Sequence, residues 1–150
     1  MTLQRMDNIL IVVDDLEAVK AFFLELGMEL EGETVVEGPD VERLIGLKNA
    51  RSTIVMLRMP DGHGRIELDK FHTPEWGGAK SEPVAVNAPG MRRIMFAVND
   101  IGEVVTRMLA HGAELVGDVV TYGDTYRLCY IRGPEGILVG LAEEIGQVVN

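Results

Sequence analysis

Three histidines and one cysteine are the first residues to weigh for metal or nucleophilic chemistry, and their placement favours neither. His63, His72 and His111 lie nine and 39 positions apart (72 − 63 and 111 − 72), which matches no zinc spacing. His63 follows the turn Pro60-Asp61-Gly62 and is expected in solvent, and His72 is expected just beyond a strand. His111 precedes Gly112 at the end of a helical pattern, where an imidazole suits the negative end of the helix dipole. Cys129, the only cysteine, sits in an apolar stretch with no histidine near it in sequence, so it reads as a small buried hydrophobe. It can form no intrachain disulfide. The strand-like stretch 65–71 offers more. Alternate side chains of a strand share a face, so Arg65, Glu67 and Asp69 stand together.

The elements that must position these residues are visible as an internal repeat. NILIVVDDLEAVKAFFLELGMELEG, residues 8–32, recurs without a gap as RIMFAVNDIGEVVTRMLAHGAELVG, residues 93–117, at an offset of 85 (93 − 8). Asn8 therefore corresponds to Arg93, Val13 to Val98, Asp15 to Asp100, Gly27 to Gly112 and Gly32 to Gly117. Each copy opens with a β-branched run, 9–13 or 94–98, that predicts a buried strand. A helix follows, capped by Asp14 or Asp15 in the first copy and by Asp100 in the second. Its apolar stripe is Leu16, Val19, Phe22, Phe23 and Leu26, repeated as Ile101, Val104, Val105, Met108 and Leu109, and Gly27 or Gly112 ends it. Further strands are expected at 30–36, 53–59 and 65–71, and at 114–120, 126–132 and 137–142. The last two of each set are joined by Pro60-Asp61-Gly62 or Pro134-Glu135-Gly136, now at an offset of 74 (134 − 60). Repeats of this length mean two copies of one βαβββ unit, with any shared site in the cleft they form together.

The chain of 150 residues suits one domain: module one at about 5–72, a linker at about 73–90, and module two at about 91–144. The linker carries three prolines, Gly77-Gly78 and Trp76, which is expected either to close over a pocket or to anchor the linker on the core. The formal charge of −10 argues against nucleic acid, which needs clustered Lys and Arg, and leaves room for a cationic or neutral small partner. The apolar run 9–13 is too short for a signal-peptide core or a membrane span, so a cytoplasmic protein is expected.

Two βαβββ copies, each with a capped helix ending in Gly and a P-[DE]-G turn before the last strand, resemble the vicinal oxygen chelate superfamily. It includes glyoxalase I, methylmalonyl-CoA epimerase, extradiol dioxygenases, fosfomycin-resistance enzymes and bleomycin-resistance binding proteins. The resemblance implies an α+β fold whose two tandem modules pair into a half-open, barrel-like cleft, in a homodimer. Metal-dependent members take two ligands per copy, one near the start of the first strand and one on the last. These places fall on Asn8, Glu67, Arg93 and Gly140, of which only Glu67 is a competent ligand. Arg93 brings a permanent positive charge to the place of the cation. No metal or other cofactor is therefore expected.

By the same resemblance the face of Tyr126, Leu128 and Tyr130 lines the cleft, with Ser52, Ile54 and Met56 opposite. The residues alone leave open which face turns inward, and a closed packed interior is the plainer alternative. The leading expectation is a small-molecule-binding protein or metal-independent enzyme. Glu67 would be the catalytic group, with Asn8, Arg93, Met56, Tyr126, Leu128 and Tyr130 on the ligand. Arg93 could hold an anionic or carbonyl oxygen, or it and Glu67 could form an ion pair that does no chemistry. Two alternatives are a metal-dependent lyase, isomerase or epimerase of lactoylglutathione lyase or methylmalonyl-CoA epimerase type, and a drug-sequestering resistance protein without turnover.

Overall fold

The first module begins with β1 (Ile9–Val12), and the computed structural model describes residues 2–79 and 83–146 of the chain. Asp15 ends the run into α1 (Leu16–Leu26), its carboxylate accepting from the Ala18 backbone N–H as an N-cap. Gly27, at φ 128°, closes the helix in a conformation that side chains rarely adopt. The chain then forms β2 (Glu29–Glu37), α2 (Pro39–Ile45), β3 (Arg51–Arg58) and β4 (Arg65–Thr73). These strands make a sheet ordered β1-β4-β3-β2, parallel between β1 and β4 and antiparallel elsewhere. Leu16, Val19, Phe22 and Phe23 of α1 are buried, as are Val55, Leu57, Ile66 and Leu68 of the sheet. Phe22 and Phe23 meet edge to face at 5.2 Å.

The second module repeats the plan: β5 (Arg93–Ala97), α3 (Ile101–Ala110), β6 (Glu114–Leu115), β7 (Val120–Tyr122), β8 (Tyr126–Arg132) and β9 (Leu138–Glu144). Asp100 caps α3 by accepting from the Glu103 N–H. The order β5-β9-β8-β6 matches that of the first sheet, with β7 also paired to β8, and β5 runs parallel to β9. Ile101, Val104, Val105 and Met108 of α3 are buried, with Phe96, Cys129, Ile131, Val139 and Leu141 of the sheet. Neither sheet closes on itself. The fold is α+β, two βαβββ-type modules in tandem.

Several expectations are corrected. The strand predicted at 114–120 is broken into β6 and β7, because Gly117 and Asp118 are poor strand formers in its middle. Leu109, placed on the buried stripe of α3, is 41% exposed. Asn8 immediately precedes β1, at the start of the first strand as expected. His72 lies within β4, not beyond it, and its Nε2 is 2.7 Å from the Thr53 hydroxyl. Trp76 does not anchor the linker on the core: it is 83% exposed, folded over Gly78, and donates to the Ala79 carbonyl. Residues 80–82 of the predicted linker lie outside the described residues. Helix α2 was not predicted, although Pro39 at its first turn and Gly46 in the left-handed conformation at its end are ordinary helix signals.

Candidate functional site

In the first module the alternation of β4 turns Ile66 and Leu68 into the helix-covered core and leaves Arg65, Glu67 and Asp69 on the opposite face. Register places Glu67 between Leu10 of β1 and Met56 of β3, and Asp69 between Val12 and Ile54. The two carboxylates thus stand among aliphatic neighbours. Asp69 is only 6% exposed, and its Oδ1 has no hydrogen-bond partner. Burial first, then a hydrogen bond with Glu67 and the negative charge of that group, push the Asp69 carboxyl up to about 7. Near neutrality Asp69 is therefore close to half protonated. Arg65 shares their face, but its donors are committed elsewhere. It forks onto Glu31 at 2.9 and 3.1 Å and reaches Asp7 at 3.0 Å.

Asp69 was placed on the Glu67 face by alternation but not singled out. The available signal was two acids at i and i+2 with Ile66 and Leu68 interleaved, a strand buried on one face that cannot fully solvate the other. Asn8 has its side-chain N–H donated to Asp7 at 2.8 Å.

In the second module Arg93 opens β5, and the register sets Met95, Gly140 and Tyr130 side by side across β5, β9 and β8. This row is the counterpart of Leu10, Glu67 and Met56 in the first module. The Arg93 Nε donates to the Tyr130 hydroxyl at 2.7 Å, and its guanidinium carbon lies 5.5 Å from the ring centroid. That contact puts Tyr130, and by alternation Leu128 and Tyr126, on the Arg93 face. Cys129 points the other way and is buried, which pushes its thiol up. A Cβ added at Gly140 would lie 2.9 Å from both Sδ and Cε of Met95 and 3.3 Å from Cε1 of Tyr130. Met95 and Tyr130 therefore close over the glycine.

Because the atoms in the way are the flexible end of Met95, Gly140→Ala should cost only about 1 kcal/mol in chemical denaturation. Most of that loss should disappear in a Met95→Ala background. An unchanged cost in the double variant would mean that Met95 is not what confines the position.

The model of the Glyoxalase/Bleomycin resistance protein/Dioxygenase superfamily matches residues 5–141. The chain belongs to that superfamily. It is similar to the crystal structure of a glyoxalase family protein from Bacillus cereus, at 52% identity and a TM-score of 0.92 over 97% of each chain. More distant structures share the fold alone. One is TnmS3, an antibiotic binding protein from Streptomyces sp. CB03234, at 16% identity and TM-score 0.63 over 96% of this chain and 98% of that one. Another is a variant of the fosfomycin resistance protein FosX from Listeria monocytogenes, complexed with Mn(II) and a dihydroxypropylphosphonic acid. It shows 14% identity and TM-score 0.62 over 98% of this chain and 94% of that one. No curated protein sequence matches the chain significantly.

Against the ligand positions of metal-dependent superfamily members, the side chains of this chain fit a divalent cation poorly. Asn8 offers an amide tied to Asp7, Arg93 a cation held on Tyr130, and Gly140 no side chain at a point covered by Met95. Glu67 alone carries a suitable donor. Among the described residues no three His, Cys, Asp or Glu side chains gather as a metal-binding group.

Proposed function

We propose that this protein is a metal-independent member of the superfamily that binds a small organic molecule, with Glu67 as its acid-base group. The observation that supports this most is the row Met95, Gly140, Tyr130: where a metal-dependent relative would place a ligand, an apolar side chain lies over a glycine. Arg93, two residues before Met95 on the same face of the second module's sheet, would supply positive charge there without a metal ion. Glu67 would take a proton from the bound molecule, and the Asp69 carboxyl beside it, where protonated, would donate a hydrogen bond to Glu67.

Equilibrium dialysis of the purified protein against Zn(II), Mn(II), Ni(II) and Fe(II), with elemental analysis, tests the reading. Substoichiometric retention of every ion is expected. Native mass spectrometry of the same preparation should show an organic molecule bound, and Glu67→Gln should keep the binding while abolishing its turnover. Stoichiometric metal that is lost in Glu67→Gln would overturn the reading in favour of a metal-dependent lyase, isomerase or epimerase. A bound molecule that is never transformed would make the protein a binder without chemistry.

A further inference from the structure

We infer that the Arg93 face of the second module takes a ligand bearing an anionic oxygen, a carboxylate or phosphonate carried on an apolar body. The inference rests on the proposed small-molecule function and names the chemistry that would be recognised. Tyr130 accepts from the Nε of Arg93 and lies under its guanidinium, which fixes the plane of the group and leaves the two terminal nitrogens as a fork of donors. Within the second module, among the described residues, no carboxylate pairs with Arg93; its hydrogen bond and ring contact are both with Tyr130. The positions next along that face are Met95 and Ala97 on β5, Leu128 on β8 and Ala142 on β9, with Arg132 and Glu144 at its two ends; Arg132 is committed to the Gly136 and Val84 carbonyls.

A guanidinium pre-set on an aromatic ring above an apolar floor matches an oxyanion with a hydrocarbon or aryl portion, because the fork binds two oxygens at once while the body covers Met95 and Leu128. The Tyr130 hydroxyl, already accepting from Arg93, retains its own O–H to donate to one of those oxygens. The net charge of −10 opposes anions at long range, so recognition must come from this local fork rather than from the general field. A ligand attracted by that field would instead be a cation, and the two possibilities separate cleanly.

The test uses the full chain and four probes of one shape: benzoate, phenylphosphonate, the neutral benzamide and the cationic benzamidine. Each is titrated while NMR follows the Arg93 Nε–H and the backbone amides of Met95 and Tyr130. Benzoate and phenylphosphonate should shift these signals saturably, and benzamide and benzamidine should not over the same range. Arg93→Gln should weaken benzoate by about tenfold or more, the loss of one charge-assisted pair, and Arg93→Lys should recover part of it. Tyr130→Phe, which frees the guanidinium without removing its charge, should weaken binding by less than Arg93→Gln does. Benzamide or benzamidine binding as tightly as benzoate, benzoate binding that survives Arg93→Gln, or silence with both anions would overturn the inference. Metal uptake by the unaltered protein would defeat the preceding reading without touching these titrations. Silence with both anions in a metal-free protein would leave that reading standing.

Discussion

Asp69→Asn is expected to make the protein more stable than the parent at pH 7.5 and to remove most of the fall in parental stability between about pH 4 and pH 7. In the native state burial and the neighbouring Glu67 raise the Asp69 carboxyl to about 7, against 3.8 for the free group. Between those values the native state holds a proton that the unfolded chain has released. Stability changes with pH in proportion to protons bound in the unfolded state minus those in the native state, and here that difference is negative. The contribution of Asp69 is therefore fully present below about pH 4 and is lost as the pH rises through about 7. Three units at about 1.4 kcal/mol each set an upper bound of about 4 kcal/mol on the loss. Asparagine has the shape of the protonated acid, and its amide can donate to Glu67 at every pH, so it keeps the hydrogen bond and removes the titration. Urea denaturation of both proteins from pH 4 to pH 8 measures this. Two curves that stay parallel across the range would show that Asp69 does not carry a raised pKa.

The elements that hold this pair were legible in the sequence because their signals are local. Helix α1 is bracketed by Asp15 and Gly27, and β8 matches its predicted range because its apolar run is bounded by Gly123-Asp124 and Gly133-Pro134. Strand alternation also put Arg65, Glu67 and Asp69 on one face. Local signals stop short of register. Period two separates the sides of a strand without saying which is covered, and the direction of Tyr130 is decided by its hydrogen bond to Arg93, 37 residues away. The covering of Gly140 by Met95 needs β5 and β9 aligned in parallel across the whole module, which no turn specifies. The raised acidity range of Asp69 depends on burial in three dimensions, and i, i+2 spacing can only make it possible. Helix α2 differs in being a short element of seven residues: Val41, Leu44 and Ile45 stand at helical spacing between Pro39 and Gly46, but one such triplet is a weak signal and none of its residues is buried.

Leu68 lies between the two acids in sequence and on the other side of the sheet in space, fully buried against the α1 face. Leu68→Ala should lower stability by about 3 kcal/mol, the transfer free energy of the lost methyl groups plus the cavity they leave. Because β4 separates that cavity from the carboxylates, the loss should be the same at pH 5 and at pH 8, shifting the parental stability curve downward without changing its slope. The contrast with Asp69→Asn, which changes the slope, makes the two variants a test of whether core and site are separate layers of one strand. The double variant should show additive effects, since the two side chains lie on opposite faces of the sheet. A Leu68→Ala loss that grows with rising pH would mean that the cavity admits water to Asp69 or shifts β4. In that case the acidity of the pair is set by the packing beneath it rather than by the neighbours on its own face.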